Sequence, residues 1–570
     1  MALAATTTPM EAQKTVDLTI VHTTDVHGNF FPRDYINRRP GSGSLARVAT
    51  YVDSLRAVRG AENVILLDGG DILQGQPTVY YYNFVDTVAP HVAARVYNFM
   101  NYDAITIGNH DVETGHDVYD RFNSRLTKPM LGANVINTAT GEPYFKPYTV
   151  IDRGGVKIAI LGLLTPAIPA WLPENLWSGM EFEEMVESAG KWVDIIRENE
   201  DPDILIGLFH SGNDASRRTG DYLENASTVV AQSVPGFDIV LTGHDHTRNN
   251  KIILNDAGEQ VVILNPANNA DNVSEVRVTL ALDADGNIVD RRFKGDIVNV
   301  DALTPSARFL DEFGPEMQAV EEFVGRKLGE STGDFTSREA LFGPSSFMRL
   351  IHDLQLKITG ADISMAAPLS FDATINRGDI RVSDMFNLYK YENLLYVMAL
   401  SGREIKDYLE ESYANWITTM KPGDEHILLF ADVEPTQSGT PALKNASYNF
   451  DSAAGINYTV DVTAPAGSRV TITGMENGEP FDPDKTYRVA VNSYRGNGGG
   501  DLLTRGAGIP REKLAERIVW ATDRDMRYYL IKEIERLGAI SPRDVDNWQF
   551  VPADVAEPAI ENDLKILFTK

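Results

Sequence analysis

Between Asp17 and about Val300, short apolar runs alternate with helical stretches, the signature of α/β layers. The first run, "DLTIVH", alternates apolar and polar residues and is rich in β-branched side chains, so it predicts a strand, which Gly28 and Asn29 then break. Five of six such runs end in the same way. "LTIVHTTDVH" leads to Asp25 and His27, "NVILLDGGD" to Asp71, and "AITIGNHD" to Asn109 and His110. "DILIGLFHSG" leads to His210, and "FDIVLTGHDH" to His244 and His246. Only the sixth, "VKIAILGLLTP", exits without a carboxylate, amide or imidazole of this kind. A polar residue in a turn is ordinarily a solvated one. Five ordered sets on five strand exits need another explanation.

The chain has only ten histidines, and five of them fall at these exits. With Asp25, Asp71 and Asn109 they make a donor set of oxygen and nitrogen without sulfur, which suits Mn²⁺, Zn²⁺ or Fe²⁺. Loops at the carboxyl ends of parallel strands are also where α/β sheets place their sites.

At 570 residues the chain exceeds one hydrophobic core. Its net charge of −29 argues against polymeric nucleic acid, which needs a basic surface, but leaves a small anionic substrate open. No apolar stretch is long enough to span a membrane, and the absence of cysteine removes both disulfides and thiolate ligands. The opening "MALAATTTPMEAQK" lacks the features of an intact signal peptide, so residues 1–16 read as a tail or processed remnant. The compartment stays open at this level.

After a first domain over 17–300, residues 301–334 read as a helical linker. Thr304-Pro305 looks like a helix start, Phe313, Met317, Val320, Val324 and Leu328 recur at helical spacing, and Gly314-Pro315 should kink or divide the helix. A smaller α+β domain follows over 335–553, with strands expected in "ADISMAAP", "NLLYVMALSG", "GINYTVDVT", "RVTITGM" and "TYRVAVNSY". "REIKDYLEESYANW" reads as an amphipathic helix, and 554–570 as a C-terminal tail.

The ordered motifs "TDVHGN", "DGGD", "GNHD", "FHSG" and "GHDH" resemble those of the calcineurin-like metallophosphoesterases. The length and the later "NSYRGNGGGD" narrow the resemblance to the 5′-nucleotidase and 2′,3′-cyclic-nucleotide 2′-phosphodiesterase family. The resemblance implies a four-layer αββα sandwich and two divalent metal ions. Asp25, His27 and His246 would hold one ion, Asn109, His210 and His244 the other, with Asp71 bridging. It further implies that His110 protonates the leaving group or stabilises the transition state. Glu113 takes the place of the family's orienting Asp or Asn.

In the family two aromatic side chains of the second domain sandwich the nucleobase, and Tyr391 and Tyr494 are the matching residues. Gly498, Gly499 and Gly500 would let backbone approach the ligand, and Asp501 could accept a ribose hydroxyl. Arg338 could touch phosphate. "MAAPLSFDATINRGDI" stands where the 5′-nucleotidase branch carries an "NGGGIR"-like loop. Together with the Tyr-x-Tyr-x-Asn of residues 389–393, it resembles the cyclic-phosphodiesterase and 3′-nucleotidase branch more closely. The expectation is a monomeric, periplasmic, cell-surface or secreted hydrolase of nucleotides or nucleoside phosphates. The alternatives are a 5′-nucleotidase or UDP-sugar hydrolase, a sulfur-compound hydrolase, and a non-catalytic nucleotide-binding surface protein.

Overall fold

The computed structural model describes residues 14–216, 218–431 and 441–569, so most of the expected N-terminal tail lies outside the described residues. The chain divides into two compact units. One is Met1–Pro169 with Glu174–Glu322, the other Ala170–Pro173 with Phe323–Lys570.

In the first unit, strands Ile288–Asn299, Asn272–Leu282, Lys14–Thr23, Val64–Asp68, Ala104–Thr106 and Met130–Leu131 lie side by side in that order. A second six-stranded sheet runs Asn249–Leu254, Gln260–Asn265, Ile239–Thr242, Ile204–His210, Val156–Leu164, Tyr148–Arg153. Alternate residues of these strands fill one apolar layer. Leu18, Ile20, Ile65 and Leu67 of the first sheet meet Ile158, Ile160, Ile204, Ile206 and Leu208 of the second. The residues between them, such as Leu161, Leu205 and Val240, pack instead with the helices Met185–Asn199 and Ser227–Ser233. Helix Leu45–Arg59 packs along Val64–Asp68 of the first sheet. The layers are therefore helix, sheet, sheet, helix. Strands buried on both faces must be apolar nearly throughout, and each Ile or Leu so buried is worth about 1.5–3 kcal/mol.

Lys14–Thr23 is parallel to Val64–Asp68, and Ile204–His210 is parallel to both Val156–Leu164 and Ile239–Thr242. Parallel pairing brings the carboxyl ends of successive strands to one edge of each sheet. That edge carries all the exits singled out above.

The connecting stretch differs from expectation in two details. The helix starts at Ala307, not beside Thr304, because Ser306 is the N-cap and its Oγ accepts from Phe309 N at 3.4 Å. A second helix, Gly314–Gly325, begins with the Gly-Pro pair, and Leu328 lies in a strand, Lys327–Ser331, paired with Gly378–Arg381.

In the second unit, Ser452–Ala454, Ile363–Ala366, Thr486–Asn492, Leu395–Ser401 and Ile518–Ala521 form a mixed sheet in that order. Helix Gly402–Trp416 is fixed at its start by a capping box: Ser401 Oγ accepts from Glu404 N, and the Glu404 carboxylate accepts from Ser401 N at 2.7 Å. It buries Ile405, Tyr408, Leu409, Tyr413 and Trp416. The residues expected to form a C-terminal tail are a helix, Ala553–Phe568, whose Val555, Ala556, Ala559 and Leu567 recur at helical spacing and join the core. No described helix is long and apolar enough to cross a membrane.

Candidate functional site

The exits of the first unit converge. One ligand atom each from Asp25, His27, Asp71 and His246 lies within 4.8 Å of the others. Beside them, Asn109 Oδ1 is 3.0 Å from His210 Nε2 and 2.8 Å from His244 Nδ1. Asp71 faces both groups, with Oδ2 3.9 Å from His27 Nε2 and 3.2 Å from His210 Nε2. Asp25 and His210 are wholly buried, whereas the His246 side chain is 40% exposed, so the cluster is reached from the His246 side.

The backbone is held in an unfavourable conformation to achieve this. Asp25 (φ 50°), His27 (51°), Asp71 (58°), His244 (73°) and His246 (52°) are all left-handed. Such conformations cost of order 1–3 kcal/mol each in non-glycine residues and persist only where the surroundings over-determine them. The first two loops do so by cross-bonding: Asp25 N donates to Gly70 O at 2.9 Å and His27 N to Asp71 O at 2.8 Å. Asp111, unremarked in the sequence, accepts the backbone N–H groups of Gly108, Asp71, Ile72 and Leu73 at 2.7–3.0 Å.

The protons of the imidazoles are set by what lies behind them. His27 Nδ1 donates to Gln74 O at 3.0 Å, and His210 Nδ1 to Gly69 O at 2.7 Å. His244 Nε2 donates to Glu224 Oε1 at 3.1 Å. In the neutral, ligating form of the rings the other nitrogen of His210 and of His244 therefore turns a lone pair on Asn109 Oδ1, itself an acceptor. Acceptors aimed at one another are repulsive, and a divalent cation among them satisfies all three. Partners that fix an imidazole from behind are the usual supports of metal ligands. The donor chemistry fits a metal. Burial pushes His210 down, yet the Asp71 and Asp25 carboxylates outweigh it and raise it to about 10, so without a cation in the cluster a proton on the imidazole takes its place. The cluster draws positive charge.

His110 sits at the rim. Its N–H donates to Asp71 Oδ1 at 2.8 Å, and its ring lies 5.4 Å from that of His27. Its Nδ1 is 2.5 Å from Glu113 Oε2, so the longer acid still reaches the imidazole from one helical turn away. Burial pushes His110 down, but Asp71 and Glu113 prevail and hold it at about 9.

In the second unit the expected pair of tyrosines is joined through a third. Tyr448 meets Tyr391 edge-on at 6.1 Å and Tyr494 edge-on at 6.5 Å. A cavity of about 810 Å³ opens beside Tyr391 and Tyr448 and is also lined by Ser370, Asn387, Lys390 and Asn445. The glycines serve the chain itself. A Cβ at Gly498 would lie 2.7 Å from Arg511 Nη1, and one at Gly499 2.4 Å from the Tyr494 ring, so both positions require glycine on packing grounds alone. The Asp501 carboxylate accepts from Thr504 Oγ1 at 3.2 Å and faces Arg511 at 3.5 Å. Arg338 is not in the cluster: it makes a forked pair with Asp372 at 2.6 and 2.9 Å and lies over the Phe568 ring.

Residues 18–248 match the family model of the calcineurin-like phosphoesterases, and 327–505 that of the 5′-nucleotidase C-terminal domain. The chain is 26% identical to the trifunctional nucleotide phosphoesterase YfkN of Bacillus subtilis, over 99% of this chain, and spans 41% of that protein's length. It is 25% identical to a Yersinia enterocolitica 2′,3′-cyclic-nucleotide 2′-phosphodiesterase/3′-nucleotidase, with 98% of this chain and 91% of the other covered. Its fold is that of a candidate 5′-nucleotidase from Staphylococcus aureus solved with α-ketoglutarate, at a TM-score of 0.76 and 21% identity, covering 94% and 99% of the two chains. The convergence of seven strand-exit side chains in the first unit accords with these two matched models: the chain carries a calcineurin-like phosphoesterase domain followed by a 5′-nucleotidase C-terminal domain.

Proposed function

We propose that the protein is a metal-dependent nucleotide phosphohydrolase, acting on 2′,3′-cyclic nucleotides and 3′-nucleotides in preference to 5′-nucleotides. The observation that carries the metal dependence is Asn109 Oδ1 within 3.0 Å of two imidazole nitrogens whose ring partners already donate elsewhere. Asp25, His27 and His246 would hold one cation, Asn109, His210 and His244 a second, and Asp71, which faces both sets, would be shared. When bound, a pair of divalent cations supplies Lewis acidity to phosphoryl oxygens and raises the acidity of water.

The rest falls to the chain's own residues. His110 has Nδ1 committed to Glu113, so Nε2–H is the proton it can present to a leaving oxygen, and Glu113 stabilises the imidazolium. The exposed side of His246 admits the phosphate. In the second unit Tyr391, Tyr448 and Tyr494 offer faces on which any base can stack, worth about 1–3 kcal/mol per base.

The proposed choice of ester rests on the loop that stands where the 5′-nucleotidase branch carries its "NGGGIR"-like segment. Leu369–Ala373, part of "MAAPLSFDATINRGDI", lines the same cavity as Tyr391 and Tyr448. A 3′ or cyclic ester joins phosphate directly to the ribose ring, whereas a 5′ ester interposes a methylene on its other side. Misplacing a reacting atom by about 1 Å costs on the order of 10²-fold, which sets the size of preference expected. The test is kcat/KM for adenosine 2′,3′-cyclic, 3′- and 5′-phosphates. A clear win for the 5′ ester refutes the proposed preference and leaves the family membership standing.

A further inference from the structure

The aromatic cluster rests on a charge that takes no part in the chemistry described so far. Arg495, next to Tyr494, is 1% exposed, and its guanidinium is shared among four residues. Nε and Nη2 donate to the Asp451 carboxylate at 3.2 and 2.7 Å. Nη2 also donates to the carbonyl of Tyr448 at 3.0 Å, and Nη1 to Asn449 Oδ1 at 3.2 Å and the carbonyl of Gly499 at 2.6 Å. Asp451 is buried too, and receives the Tyr408 hydroxyl from helix Gly402–Trp416. One side chain thus joins the loop that carries Tyr448 to the turn that carries Tyr494, and anchors both to a core helix. The fit leaves no slack: a Cβ at Gly500 (φ 71°) would lie 2.2 Å from Arg495 Nη1, while the guanidinium stands 5.4 Å from the Tyr494 ring centre.

A buried ion pair is a weak source of stability, since desolvation offsets most of the attraction, and its best-attested use is to fix one arrangement among several. Only a planar fork with five donors can reach two backbone carbonyls, an amide oxygen and a carboxylate together. A lysine in the same place would keep the charge opposite Asp451 and lose the span.

We infer that Arg495 is a positioning residue for base recognition: anchored by Asp451 and bonded to the Tyr448 carbonyl, Asn449 and Gly499, it fixes Tyr448 and Tyr494 relative to each other so that a nucleobase meets a preformed aromatic surface. This rests on the base-stacking role proposed above. The test compares wild type, Arg495→Lys, Asn449→Ala and Tyr448→Ala. The readouts are calorimetric binding of adenosine, KM for adenosine 3′-phosphate, turnover of base-free 4-nitrophenyl phosphate, and melting temperature. Complete loss of one stacked base corresponds to roughly 5–150-fold in affinity. Arg495→Lys should weaken adenosine binding and raise the nucleotide KM by about tenfold, a part of that range, with aryl phosphate turnover and the melting temperature nearly unchanged.

Asn449→Ala removes a single tether with little risk to folding and should show the same split at about two- to threefold, within the modest worth of one hydrogen bond. Wild-type nucleotide binding in Arg495→Lys, with loss in Tyr448→Ala, overturns the positioning role alone. Unchanged binding in both variants overturns base stacking with it. If Arg495→Lys loses both substrates equally and melts lower, or does not fold while Asn449→Ala shows no split, the arginine is structural and the inference fails.

Discussion

In the first unit the functional side chains leave the carboxyl ends of strands buried on both faces, whereas in the second they stand on loops. Asp25, His27 and Asp71 are held at positive φ by cross-bonded loops and the Asp111 carboxylate, and His244 by its backbone N–H on the Asp25 carboxylate. Tyr448 and Tyr494 sit in short turns, tied by one guanidinium. Ligation and proton transfer need atoms fixed to a fraction of an ångström, and rigid strand ends with strained backbone provide that. Stacking tolerates lateral displacement of a base, so turns braced at one point suffice. The difference is one of required tolerance.

Three sets of substitutions sharpen the contrast, taken from the largest expected effect. His110→Ala should lower kcat by about 10²–10⁴-fold, the usual worth of a general acid, with metal content unchanged. The loss should shrink on aryl phosphates, whose leaving groups need no proton. Equal losses on good and poor leaving groups would assign His110 another task.

Replacing Tyr391, Tyr448 or Tyr494 by alanine should cost about 1–3 kcal/mol in kcat/KM for a nucleotide and spare 4-nitrophenyl phosphate. A uniform loss on both substrates would erase the division of labour between the units.

The smallest effect tests the strain. At His246 (φ 52°) glycine adopts the backbone freely and alanine does not. With metal removed, His246→Gly should therefore unfold at higher denaturant than His246→Ala, by roughly 1 kcal/mol: a left-handed alanine costs about 1–2 kcal/mol, and the freer unfolded chain of the glycine variant offsets about 0.4–1 kcal/mol of that. Greater stability of the alanine variant would mean that the left-handed backbone is not costly there.

The same contrast explains what the sequence makes legible. That Asp25, Asp71, Asn109, His210 and the His244–His246 pair meet can be read in advance. Apolar runs identify strands, and parallel strands deliver their exits to one edge. Glu224 and Asp111 escape that logic. Glu224 lies twenty residues before His244, beyond the short hairpin strand Tyr222–Leu223, and nothing in "DYLENAS" marks an acid that reaches back to an imidazole.

Tyr448 is one of 22 tyrosines, in a polar loop without periodicity, and only the fold sets it beside Tyr391 and Tyr494. The triple glycine is legible as missing side chains, but the Tyr494 ring and Arg495 fork that a Cβ there would strike are set by the fold. The terminal helix is hidden by Pro558, a residue that ordinarily argues against a helix interior.

Cation titration of the chelator-treated protein tests the central claim most directly, with Mn²⁺ added while bound metal and phosphate release from adenosine 2′,3′-cyclic phosphate are followed together. Binding should saturate at about two equivalents per chain, as a paired site requires, with turnover absent beforehand and complete at saturation. Asp71→Ala, which removes the carboxylate facing both sets of ligands, should bind neither ion firmly and remain inactive. Full turnover without metal, or an active Asp71→Ala enzyme, would contradict the account.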